Sequence, residues 1–175
     1  VFGGFVAMFL YLPKLLTAVH DLSKADAGAR AAGFALLAVV GRPAGGWLSD
    51  RVGAERVLTW SFAGTAVLAF VLAVAYESMV PLTIACLTMA VALGTGTGAV
   101  FKLVAEWFPD RVGGVTGVVG AAGGLGGFFP PLVMGAVYEA TDGYFIGFAL
   151  LAVVAAGCLL ILRALERGRA PVPAT

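Results

Sequence analysis

A chain of 175 residues that is 61% hydrophobic and only 12% charged, with a mean hydropathy of +1.00, falls outside the soluble globular class. Its apolar residues come in long runs and not in alternation, which excludes an outer-membrane barrel and indicates helices spanning a lipid bilayer. A net charge of +1 gives no basic surface for nucleic acid.

The first apolar run covers about residues 1–19 and tolerates Pro13 and Lys14 near its end. The sequence opens inside it at Val1, with no initiator Met and no basic leader region. That reads as a chain whose upstream part lies outside this sequence, and not as a signal peptide. A polar connection over 20–30 leads to a second run, about 27–48, which contains Arg42 and closes on a charged turn over 49–56. The third run covers about 57–76, and Glu77-Ser78 links it to a fourth, about 80–104. The segment Glu106-Trp107-Phe108-Pro109-Asp110-Arg111 breaks the pattern. A fifth run follows to about Tyr138, with Pro130 and Pro131 expected to bend its far end. The sixth covers about 143–162, and the polar tail over 166–175 is expected to be disordered. Each of these six runs is long enough to cross a hydrocarbon core of roughly 30 Å. The fold class is therefore an all-α membrane protein.

Lysine and arginine set the orientation. Arg51, Arg56, Lys102, Arg111, Arg163, Arg167 and Arg169 gather at one side, against Lys14, Lys24 and Arg30 at the other. The first side, with the C-terminal tail, is expected in the cytoplasm.

The fifth run carries Gly113, Gly117, Gly120, Gly124 and Gly127, spaced by four and three residues, a helical stripe without side chains. In a soluble helix each such glycine costs about 1 kcal/mol relative to alanine. In a bilayer a small-residue face lets a neighbouring helix, or a small ligand, approach the backbone. Close packing and a glycine-lined substrate path are both open readings. Gly94-Thr95-Gly96-Thr97-Gly98 in the fourth run lacks the strand–turn–helix context of a nucleotide loop, and reads as helix packing. Cys86 and Cys158 sit in separate apolar runs, with neither disulfide nor metal-ligand spacing.

Arg42 is the only charge well inside a span. An arginine at this depth costs about 3 kcal/mol on insertion scales and marks a function by default. It lies about 12 Å from Asp50 along the helix. Three readings are open. It snorkels to the cytoplasmic face, against the N-terminal lean of helical side chains; it pairs with a carboxylate outside this sequence; or it binds an anion, where its fork can give a planar oxyanion two parallel N–H bonds. Pro43 would free the Val39 carbonyl and loosen the helix beside it. The pattern Gly46-x-x-x-Asp50-Arg51-x-Gly53-x-x-Arg56 places Asp50 beyond the helix end, with Arg51 and Arg56 at the membrane surface. Such a cluster can latch two states of a bundle, or simply anchor the loop.

GWLSDRVGAER resembles the cytoplasmic loop motif of the major facilitator superfamily, departing from it at Ala54 and Glu55. GTGTGAVFKLVAEWFPDRVGGVTG with GAAGGLGGFFPP resembles a signature region of that superfamily's nitrate/nitrite porter family. The context GRPAGGWLSDR around Arg42 resembles the same family's substrate arginine, and FGGFVAMFLYLP its seventh helix. The resemblance covers about residues 1–163. It implies the C-terminal six-helix half of a transporter, helices seven to twelve, over 1–163, with a cytoplasmic polar tail over 164–175. It further implies that Arg42 holds nitrate or nitrite, that Phe2 and Phe5 pack against the planar anion, and that Gly120, Gly123 and Gly124 let their helix approach it. A second arginine belongs to the N-terminal six-helix half, the expected partner. The place implied is the inner (plasma) membrane.

No membrane-embedded carboxylate offers a proton carrier here, so exchange and proton symport both stay open. An enzyme lacks its players: the single histidine is in a loop, and the spans hold no nucleophile–base set, so no cofactor or metal is expected. A transporter of another small anion, or a non-transporting module, are the alternatives.

Overall fold

The computed structural model describes residues 1–141 and 143–168, with backbone only at 131, 139 and 140. The described residues form helices α1 (Phe2–His20), α2 (Lys24–Val52), α3 (Ala54–Ala75), α4 (Met79–Trp107), α5 (Val112–Thr141) and α6 (Phe145–Gly168), with a 3-10 turn at Pro109–Arg111. All six are long and apolar enough to cross a membrane, and no strand occurs among the described residues.

The helices start and stop where the chemistry of their ends demands. Ser23 accepts a hydrogen bond from the Asp26 N–H at 3.1 Å, and Asp26 sits in the first turn, where a carboxylate suits the helix dipole. This cap starts α2 at Lys24, so most of the expected 20–30 connection is helical and only 21–23 link the helices. At its other end α2 runs through Asp50 to Val52. The Gly53 N–H returns to the Ser49 carbonyl at 2.9 Å, and Gly53 turns the chain at φ 93°. Asp50 thus lies in the last turn of α2 and not beyond it, and the expected turn over 49–56 shrinks to one glycine. Helix α6 continues to Gly168, so the first five residues of the expected tail are helical. Arg169 and the rest of the tail lie outside the described residues, as does the side chain of Pro131, while α5 passes through both prolines as one helix.

Helix α4 is the hub, packed against α2 on one side and α3 on the other; α6 covers α3, and α1 lies between α2 and α5. Helix α5 rests on α1 and scarcely touches α4 or α6. The core joins Leu15, Phe34, Leu72, Met89 and Phe148 from five helices. Large apolar residues also face outward, Leu36, Val67 and Val153 each about two-thirds exposed, as expected where the solvent is hydrocarbon.

The α2–α4 seam is made of glycine. A Cβ on Gly45 would fall on the Thr95 backbone, one on Gly94 on the Ala38 carbonyl, and one on Gly98 on the Arg42 carbonyl. Thr95 and Thr97 donate to the Val91 and Leu93 carbonyls, so their hydroxyls are satisfied within α4.

Candidate functional site

The seam grips α2 on both sides of Arg42, which fixes where its side chain goes. The guanidinium carbon stands 5.5 Å from the Phe2 ring centroid and 5.2 Å from that of Phe5, both on α1. The rings beneath it are nearly parallel. Phe2 and Phe5 lie 6.5 Å apart at 13°, and Phe5 and Phe34 lie 6.0 Å apart at 7°. Each aromatic face contributes about 0.5–2 kcal/mol of attraction to a cation, depending on how dry the contact is.

That attraction does not complete the site. Arg42 Nε is buried and has no hydrogen-bond partner. Ion pairs between described residues are those of Lys102 with Asp50 and Glu106, so no described carboxylate neutralises Arg42. The result is a positive fork with an idle donor, held over a stack of flat apolar faces. Chemically it can accept a flat anion: N–H bonds to its oxygens, aromatic surface against its plane.

Of the glycines expected here, the structure joins one to the site. A Cβ on Gly123 would collide with the Phe2 ring, so Gly123 is the seat of that ring. Gly120 and Gly124 have nothing within 4 Å of a Cβ, and the same is true of Gly113 and Gly117. The stripe therefore does not pack as one face within this chain. Helix α5 meets α1 through a rotated set, Gly123, Gly126 and Gly127, against Phe2, Gly3 and Val6. The regular four-and-three spacing hid this second face.

The loop cluster is also divided. Asp50 bonds Lys102 of α4 at 2.7 Å, and Lys102 lies 3.8 Å from Glu106. Arg51 stacks over Trp47 at 4.0 Å, Arg56 is exposed, and Gly46 lies under Gly98 in the seam. Sequence reasoning found neither Lys102 as the partner of Asp50 nor Phe34 in the ring stack. Each depends on a contact between helices far apart in the chain, though a lysine one turn before Glu106 at a helix end was a usable hint.

The sequence matches known proteins over most of its length. It is 54% identical over 157 residues to the "Probable nitrate/nitrite transporter NarK2" of Mycobacterium tuberculosis, covering 89% of this chain and 40% of that protein. It is 43% identical over 162 residues to the "Nitrite extrusion protein" of Bacillus subtilis, covering 92% of this chain and 40% of the relative. With the "Probable nitrate transporter NarT" of Staphylococcus carnosus it shares 40% over 144 residues, 82% of this chain and 37% of the relative. The chain thus spans about 40% of the length of these relatives. The description of the Major Facilitator Superfamily matches residues 1–175, and the six membrane-capable helices fit it: the chain belongs to that superfamily.

Proposed function

We propose that this chain is the C-terminal six-helix half of a secondary transporter that moves nitrate, nitrite or both across the inner (plasma) membrane. The observation that carries the reading is Arg42, buried at Nε without a partner, over the faces of Phe2 and Phe5. Nitrate is flat, with its charge spread over oxygens that suit a two-pronged donor. An arginine from the other half would face it across the midplane. Two empty-site cations repel and an anion between them cancels the repulsion, so occupancy favours closure of the halves in an alternating-access cycle. The names of the relatives support the choice of nitrogen oxyanions.

Residues 164–175 form a cytoplasmic end in this reading, on the side richer in arginine. Gly46, Asp50, Arg51, Gly53 and Arg56 form a latch in which the Asp50–Lys102 pair holds α2 against α4. Gly120 and Gly124, open in this chain, face the N-terminal half and let it slide past.

The test is nitrate uptake into proteoliposomes by the full-length protein, with nitrite inside or absent and a pH gradient on or off. Uptake that needs internal nitrite identifies an exchanger; uptake driven by the gradient identifies a symporter. No nitrate or nitrite flux under either condition overturns the assignment. A second reading, transport of another flat anion such as formate, uses the same fork and rings, and competition by formate at concentrations comparable to nitrate would favour it.

A further inference from the structure

Helix α1 has two faces of different use. Phe2 and Phe5 meet Arg42, while the opposite face, with Gly3 and Ala7, borders an apolar cavity of about 400 Å³. Gly126 and Met134 of α5 and Ala155 and Cys158 of α6 close it from the other side. It exists because α5 touches α1 backbone to backbone at Gly126 and Gly3, yet stands away from most of α6. The volume is in the range of small-molecule sites. No charged side chain lines it, and its lips, Phe129 and Val154, are apolar and more than half exposed.

One side-chain hydroxyl breaks this apolar wall. Thr65, in the middle of α3, is 4% exposed, lines the cavity, and its hydroxyl has no hydrogen-bond partner. Five other threonines, the buried Thr97 among them, meet that need within their own helix. Thr17, Thr88, Thr95, Thr97 and Thr141 each donate to the carbonyl four residues earlier. Thr65 does not, and a buried hydroxyl without a partner is destabilising. A single water is a poor answer, because a buried water needs two to four polar partners and Thr65 carries the one side-chain hydroxyl among the lining residues. A phospholipid does not resolve it either. Its ester oxygens stay at the interface, roughly 15 Å from mid-bilayer, so only a bare chain would reach Thr65.

We propose that this cavity binds a neutral, single-chain apolar molecule drawn from the bilayer, with one hydroxyl or carbonyl oxygen bonded to Thr65 Oγ1. The lips admit the chain from the hydrocarbon, the absence of charged side chains disfavours ions, and the hydroxyl selects for an oxygen at the buried end. The inference is independent of which anion is transported, since it concerns the face of α1 turned away from Arg42.

The test uses the full-length protein in phosphatidylcholine nanodiscs, with octanol carrying a photoreactive diazirine and the matching diazirine-bearing octane. Adducts are mapped by mass spectrometry. Adducts from the alcohol are expected on α5 and α6 around Met134 and Cys158, roughly two- to tenfold more abundant than those from the alkane, the range one hydrogen bond supplies. Thr65→Val, close to threonine in shape, should bring the alcohol down to the alkane level. Ala155→Phe, monodisperse by gel filtration, should remove both by filling the space. No adducts at these residues would overturn the proposal. Alcohol labelling unchanged by Thr65→Val would overturn it too, because the cavity would then be a slot for any acyl chain.

Discussion

Glycines at helical spacing occur twice in this chain, and they meet opposite surroundings. On α2 and α4, Gly41, Gly45, Gly94 and Gly98 lie against backbone, and any Cβ there would meet atoms that cannot turn aside. On α5, Gly113, Gly117, Gly120 and Gly124 face open space. The first set welds two helices into a platform for Arg42. The second leaves a smooth, unpartnered face on the helix least attached to the bundle. The same residue in the same period thus marks a rigid joint in one place and a free surface in the other. Only the neighbour decides which.

Substitution separates the two. Gly45→Ala puts a methyl group on the Thr95 backbone, so α2 and α4 must part along their length. Overpacking a seam of this kind costs about 1–3 kcal/mol or more, and the expected outcome is loss of the monodisperse peak in detergent. Recovery of Gly45→Ala with wild-type elution and melting would contradict the rigid-joint reading. Gly124→Leu is the counterpart on the open face. It should insert and elute as wild type while turnover in proteoliposomes collapses, because the added side chain projects where the other half is proposed to slide. Full activity in that variant would remove any role for the open stripe.

Gly123→Ala lies between these extremes. The obstacle is the Phe2 ring, which can move, so the fold should persist while the ring shifts under Arg42. Losing about 1 kcal/mol of ring contact predicts a roughly fivefold rise in KM for the anion with little change in melting. An unchanged KM would free Phe2 from the site. Asp50→Asn should show the smallest effect. Both partners of the Asp50–Lys102 pair are substantially exposed, so the loss of stability should be slight at low salt and absent at high salt. A large, salt-independent loss would mean that the pair is part of the structural core.

Much of this was legible in the sequence because bilayer physics writes itself into long apolar runs. The helix ends moved where short polar signals outweighed hydropathy. Ser23 with Asp26 began α2 earlier than its apolar run, and Gly53 let it pass through Asp50 before turning. Arg42 could be singled out by its cost in hydrocarbon alone, and Phe2 and Phe5 by resemblance. Phe34 could not, since a phenylalanine among apolar residues is distinguished only by what it stacks on. Nor could spacing reveal that Gly126, off the regular stripe, meets α1 backbone to backbone at Gly3. Periodicity names a face of one helix and is silent about its partner.

Arg42 is proposed to bind the transported anion through its fork and not merely to brace the bundle. The most direct test is nitrate and nitrite uptake by the full-length Arg42→Lys protein in proteoliposomes, beside gel filtration of the same sample. Lysine keeps the charge over the phenylalanine rings but loses the paired donors. The expected result is wild-type elution with uptake reduced at least tenfold, the loss of about one charge-assisted hydrogen bond. Near-normal uptake by that variant would contradict it and make Arg42 a structural residue.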